Sequence, residues 1–137
     1  MADPVRVRQE ILKEMLLHAR SEPEIECCGL LAGRYGVITT IFPATNALSS
    51  ATAYEIAPRE LFQLFRTIRT GGLTHLGHYH SHLSNENVPS PRDIEQACYP
   101  DQAYFIVSSR ADSPNPIRAF SICEGSVSEL TIEVVHL

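Results

Sequence analysis

The segment HYHSHLSNENVPSPRD, residues 78–93, constrains the fold of this 137-residue chain more than any other segment. It places His80 and His82 two positions apart and puts Asp93 after a polar, Pro-containing loop. Residues two apart in a β-strand point to the same face, so both imidazoles can reach one ion. Asp93, in the first turn of the next helix, can add a carboxylate oxygen. The segment therefore predicts a strand, a loop and a helix start that meet at one point.

Two imidazoles and one carboxylate leave the fourth position of a tetrahedral site free for water, as in catalytic zinc sites. These ligand types favour zinc but also allow iron or manganese. We expect one Zn²⁺ per chain with a catalytic water, whose attack needs a nearby carboxylate as proton acceptor. His18, His75 and His136 have no sequence partner that supports a metal role, and we interpret them as solvated or hydrogen-bonded structure.

The spacing His-x-His, seven residues, Ser, two residues, Asp resembles the signature of the JAMM metallopeptidases, also called MPN-plus domains. In that family an upstream Glu lies in the pattern E-x-C-G-L-L-x-G, and residues 26–33 of this chain read ECCGLLAG. The resemblance continues through YEIAPREL and YPDQAYFIVSS to the last strands, so it covers nearly the whole chain. It implies that His80, His82 and Asp93 hold the metal, and that Glu26 is the general base. It also implies that Ser90 donates a hydrogen bond to the metal-bound water or to the oxyanion.

The resemblance implies an α/β fold of the JAB1/MPN, cytidine-deaminase-like type, a layered mixed β-sheet flanked by helices. The length of 137 residues and the absence of repeats or a break in composition predict one domain over residues 1–137. The resemblance also implies hydrolysis of the amide bond after the C-terminal Gly-Gly of a ubiquitin-like or sulfur-carrier protein, including release of cysteine or another adduct. The alternative is a non-catalytic MPN scaffold or zinc-binding module, because the fold also serves in assembly when metal residues are lost. Zinc nucleoside deamination needs His-x-Glu and PCxxC patterns, which the sequence lacks.

Other interpretations of these residues are also open. Ser-x-x-Asp at residues 90–93 resembles a capping box, which is compatible with a metal site at the same helix start. Glu24 is the rival for the general base, because in an extended segment it shares a face with Glu26. Two positions depart from the family: His78 replaces the usual Trp and is expected to line the pocket, and Leu83 replaces the usual Pro.

Hydrophobic periodicity and turn residues predict the remaining elements. Apolar residues over 7–19 predict an amphipathic helix that ends near residues 21–23. A second helix begins at Pro58 and is closed by Gly71 and Gly72, and a short third helix covers residues 92–97. Alternating and β-branched runs predict strands at residues 29–33, 37–42, 53–56, 73–81, 103–109, 117–123 and 127–135.

Composition excludes several classes of function. The net charge is −5 and no Lys/Arg cluster occurs, which disfavours a nucleic-acid partner. No apolar run is long enough to span a bilayer and the N-terminus is too charged for a signal peptide, so we expect no membrane partner and a cytoplasmic location. We expect the four cysteines to be small buried hydrophobic residues that form no disulfides. Homo-oligomerisation stays open.

Overall fold

The computed structural model describes residues 3–136, which form a mixed eight-stranded sheet and three helices. Strands and helices alternate along much of the chain, which confirms the α/β class. The elements are β1 Val5–Arg8, α1 Gln9–Ser21, β2 Cys28–Arg34, β3 Val37–Ala44, α2 Pro58–Thr70, β4 Thr74–His82, α3 Pro91–Gln96, β5 Ala103–Ser108, β6 Ile117–Cys123, β7 Ser126–Leu130 and β8 Ile132–Val135.

The sheet curls around α1. Its strand order is β7-β6-β5-β4-β2-β3-β1-β8, so β7 and β8 lie at opposite edges although only Thr131 separates them in sequence. One residue can join the two edges only if the sheet bends until they meet, and right-handed twist favours such bending. The concave side encloses Ile11, Met15 and Ala19 of α1, which pack with the fully buried Phe105.

The second helix covers the opposite side of the sheet. Ile68 of α2 packs with Leu30 and Ala32 of β2, whereas Leu31 points into the cluster around α1. This alternation is what a strand buried on both faces requires. The helices therefore flank the sheet, as the family resemblance implied, and Gly72, with φ of 71°, ends the turn after α2 as predicted.

Three predicted elements differ in the structure. Val7, expected in the first helix, lies in β1, which pairs in parallel with β3 and β8; the helix starts only at Gln9. Residues 53–56 form no strand, because their backbone groups bond to Asn46 and Ala47 rather than to a ladder. Residues 127–135, expected as one strand, divide at Thr131 into β7 and β8. The first and third errors involve the pairing of β1 with β8 across the length of the chain, whereas the second involves a local loop.

Strand β4 lies at the centre of the sheet, between β2 and β5. It continues through His82, one residue beyond the predicted end, so His80 and His82 belong to one regular strand. Tyr79 and Ser81 alternate with them and are fully buried on the other face. Gly29 is needed opposite Tyr79, because a Cβ there would collide with the Tyr79 ring and the Phe42 carbonyl.

The cysteine prediction is half right. Cys27 and Cys28 are buried, but Cys98 and Cys123 are exposed, and all four thiols are free. Within residues 3–136, no helix has the length and apolar character needed to cross a membrane.

Candidate metal centre

Strand β4 and the start of α3 bring three predicted ligands together. Nε2 of His80 lies 3.1 Å from Nε2 of His82, and each of these nitrogens lies 3.2 Å from the same Asp93 oxygen, Oδ2. The side chains are 4%, 12% and 12% exposed, respectively. Three ligand atoms thus form a nearly equilateral triangle at the edge of a cleft.

The triangle fits a tetrahedral metal ion. Zinc bonds to imidazole nitrogen and carboxylate oxygen are about 2.0–2.1 Å long, which places ligand atoms of a tetrahedral site roughly 3.3 Å apart. The three observed separations lie within about 0.2 Å of that value. Burial lowers the pKa of His80, which favours the neutral imidazole that metal binding requires.

Neighbouring groups fix the orientation of the ligands. Nδ1 of His82 lies 2.9 Å from the Glu86 carbonyl and donates to it, which leaves Nε2 as the nitrogen available to a metal ion. The ring of Tyr54 stacks on His80 with 4.6 Å between centroids. Burial would raise the pKa of Asp93, but hydrogen bonds with His80 and His82 outweigh it and hold that pKa well below its usual range.

Ser90 and Asp93 form the capping box that the sequence indicated. The Asp93 backbone N–H donates to Oγ of Ser90, and the Ser90 backbone N–H donates to Oδ2 of Asp93. The helix start therefore holds the carboxylate in place. Because Oγ of Ser90 accepts this hydrogen bond, its own O–H proton is free to point into the open cavity that Ser90 lines.

Glu26 lines that same cavity, together with His82 and Ser90. Glu26 is buried, with only 5% of its surface exposed. Burial raises the pKa of Glu26 from 4.5 to about 7; the charge of His82 opposes this shift and that of Asp93 adds to it. A carboxyl group with a pKa near neutrality can both accept and return a proton. Glu24, the rival base, is exposed to solvent.

The two departures from the family pattern both lie beside the ligands. His78 stacks on Tyr104 with 5.1 Å between centroids and 7° between planes, and it lines a cleft next to the metal centre with Tyr54 and Leu61. This agrees with the expectation that it lines a pocket. Leu83 lines the cavity that contains Glu26.

Residues 8–123 match the sequence profile described as prokaryotic homologs of the JAB domain. The match covers well over half of the chain and includes Glu26 and the three residues of the triangle. The chain belongs to this family.

The relatives of this JAB-domain chain include proteins named as peptidases. A CysO-cysteine peptidase from Mycobacterium tuberculosis is 33% identical over 132 residues, covering 95% of this chain and 90% of that protein. A desampylase from Haloferax volcanii is 36% identical over 104 residues, covering 74% of this chain and 75% of the relative. A JAB1/MPN domain protein from Archaeoglobus fulgidus shares the fold, with a TM-score of 0.67 at 20% identity over 98% of this chain and all of that one.

Sequence reasoning about this JAB-domain site missed three buried or stacked neighbours. Tyr54 stacks on a ligand, although its segment YEIAPREL carried part of the family resemblance. Ser81 lies between the two histidines on the opposite strand face, a position that alternation alone could have singled out. Asn46 contacts the Glu26 backbone across 20 residues, and nothing local in the sequence indicates it.

Proposed function

We propose that the chain is a zinc-dependent peptidase or isopeptidase that hydrolyses the amide bond after the C-terminal Gly-Gly of a ubiquitin-like or sulfur-carrier protein. The observation that carries this proposal is the triangle of His80, His82 and Asp93 with Glu26 and Ser90 beside it in one cavity. Membership of the JAB family and the relatives that are named as peptidases identify the chain as a hydrolase. We assign one Zn²⁺ to this site in a single domain over residues 1–137.

His80, His82 and Asp93 would hold the zinc ion through two imidazole nitrogens and one carboxylate oxygen. When bound, zinc supplies a Lewis acid that activates water and polarises a carbonyl. Glu26 accepts the proton of the attacking water and returns it to the leaving amine, which its pKa of about 7 suits. The Ser90 hydroxyl donates a hydrogen bond to the developing oxyanion, a contribution of about 3–4 kcal/mol in comparable sites.

The position of Glu26 indicates how the scissile bond of a substrate would be oriented. The leaving amine must lie within reach of Glu26, and therefore in the cavity lined by Glu26, His82 and Ser90. We assign the acyl side of the bond to a second cleft, which is lined by Tyr54, His80 and Tyr104. That cleft has a volume of only about 30 Å³, enough for one or two waters, so it would have to widen even for a Gly-Gly tail and further still for residues with side chains.

The relatives support the class of partner. One is named for a peptide bond between a carrier protein, CysO, and cysteine, and another is named a desampylase. The net charge of −5 and the absence of a basic cluster continue to argue against nucleic acid as a partner. We propose a cytoplasmic location, which the free thiols of all four cysteines support.

The test is cleavage of a sulfur-carrier protein that bears an amino acid after its Gly-Gly. We expect the mass of the carrier to fall by that amino acid, and a chelator to prevent the change. Glu26→Gln should bind zinc at one equivalent while turnover falls by at least a hundredfold, because the base is lost and the ligands remain.

Metal analysis of Asp93→Ala is the matched control, since this variant should lose zinc and turnover together. Wild-type zinc content with no cleavage of any Gly-Gly fusion would rule out the proposed activity. Wild-type turnover in Glu26→Gln would rule out the assignment of the base alone.

A further inference from the structure

The peptide bond between Glu26 and Cys27 lies outside regular structure, because β2 begins only at Cys28. The backbone bonds of the sheet reach as far as the Cys27 carbonyl, which accepts from the Ser81 N–H of β4 at 3.0 Å, and the Glu26 carbonyl and the Cys27 N–H lie one peptide beyond. Glu26 is buried, and its own N–H donates to the Ser50 carbonyl at 2.9 Å. Buried backbone groups need partners, and in this segment two side chains supply them.

Asn46 and Ser81 hold this peptide from its two sides. Nδ2 of Asn46 donates to the Glu26 carbonyl at 2.9 Å, and the Cys27 N–H donates to Oγ of Ser81 at 2.8 Å. The peptide unit is planar and trans, so its C=O and N–H point in opposite directions. Both side chains are buried, at 3% and 0% exposure, so water does not compete for either hydrogen bond.

We propose that Asn46 and Ser81 are positioning residues that orient the Glu26–Cys27 peptide and so direct the Glu26 carboxylate at the metal centre. The proposal rests on the proposed function, in which Glu26 is the general base. Ser81 lies between the ligands His80 and His82 in β4, with its side chain on the opposite face. One strand therefore holds the metal ligands on one face and the peptide of the base on the other.

Asn46 extends this arrangement to the wall of the cleft. Its Nδ2 also donates to the Ala53 carbonyl at 3.0 Å, and its Oδ1 accepts the Glu55 N–H at 3.3 Å. These two residues flank Tyr54, whose ring stacks on His80. The same amide thus fixes the base and the ring that covers a metal ligand.

The test compares kcat, KM and zinc content for Asn46→Ala and Ser81→Ala. We expect kcat to fall about ten- to a hundredfold in each variant, since small displacements of a catalytic group cost this much, with KM and zinc content within about twofold of wild type. Val7→Ala, which opens a cavity in the core around α1, is the control for lost stability alone. Its kcat per folded molecule should equal that of the wild type.

Repeating both substitutions in the Glu26→Gln background separates positioning from general destabilisation. If they act through Glu26, the residual turnover of Glu26→Gln should not fall further. An equal loss in both backgrounds, or an unchanged kcat in the wild-type background, would overturn the proposal. Wild-type turnover in Glu26→Gln itself would instead overturn the assignment of the base.

Amide hydrogen exchange at Cys27 provides a readout that is independent of turnover. Ser81→Ala removes the acceptor of this N–H, so its exchange rate should rise at least tenfold while exchange in β5 stays unchanged. Unchanged protection at Cys27 would show that Ser81 does not hold the peptide, whatever its effect on kcat.

Discussion

At the scale of single residues, the burial of Glu26 has a cost for folding. A carboxyl group that is 5% exposed and whose pKa is raised to about 7 binds a proton more tightly in the folded state than in the unfolded state, where its pKa is near 4.5. Ionisation of this group therefore opposes folding in the metal-free protein. The property that makes Glu26 a suitable base at neutral pH also makes it a destabilising residue.

Glu26→Gln should therefore raise the stability of the metal-free protein, and only at higher pH. Below about pH 4.5 the carboxyl is protonated in both states and the two proteins should be equally stable. As pH rises from about 4.5 to about 7, the wild type loses on the order of 3 kcal/mol relative to the variant, because only the wild type must ionise a buried group. Urea denaturation with chelator at pH 4 and pH 8 measures the difference. A constant difference across this range would contradict the raised pKa.

At the scale of secondary-structure elements, α3 is a short helix whose first turn is part of the site. It has six residues, too few to be stable in isolation, and its start depends on the mutual hydrogen bonds of Ser90 and Asp93. The cap orients the Asp93 carboxylate and leaves the O–H proton of Ser90 free to point into the cavity that Ser90 lines. One side chain thus serves both the stability of the helix and, in the proposed mechanism, the oxyanion.

Two substitutions at Ser90 should separate these roles. Ser90→Ala should lose about 1 kcal/mol of stability with the cap, whereas Ser90→Gly should lose only a few tenths, because Gly is tolerated at this position. Both remove the hydroxyl, so kcat should fall by about a hundredfold or more in each. Thermal unfolding and steady-state kinetics provide the two measurements. If kcat followed stability, with Ser90→Gly near wild type, the hydroxyl would have only its capping role.

The ends of the two long helices are features that the sequence predicts correctly. Helix α1 ends at Ser21 and α2 at Thr70, as Pro23 and the pair Gly71-Gly72 predicted, because these signals act through local backbone geometry. Val7 and residues 53–56 were misassigned for two other reasons. Val7 lies in β1, whose partner β8 is far along the chain, whereas residues 53–55 bond to the nearby Asn46 in a loop without periodicity.

The residues of the candidate site show the same difference between positions that local patterns predict and positions that they do not. The positions of His80, His82 and Asp93 could be predicted from strand alternation and a helix start, and the resemblance added Glu26 and Ser90. Asn46 and Tyr54 could not be assigned roles, because their contacts with Glu26 and His80 span 20 and 26 residues in a loop without periodicity. Residue patterns thus identify groups on regular elements but not the loop that surrounds them.

At the scale of the whole molecule, the metal centre connects parts of the fold that are otherwise joined by an irregular loop. Two ligands belong to β4 at the centre of the sheet, and the third belongs to α3, after residues 83–90. An ion bound to all three would link the sheet to α3 in the folded state only, because the unfolded chain does not keep the ligands together. Zinc should therefore stabilise the entire cooperative unit.

Thermal unfolding of the metal-free and zinc-bound protein should show this linkage. With free zinc at one hundred times its Kd, binding contributes about 2.7 kcal/mol, which corresponds to a rise in Tm on the order of 10 °C for a chain of this size. Asp93→Ala should show little of this rise, since it lacks the ligand from α3. His136→Ala, at an exposed position outside the triangle, should keep the full rise. An equal rise in wild type and Asp93→Ala would mean that zinc stabilises the protein from another position.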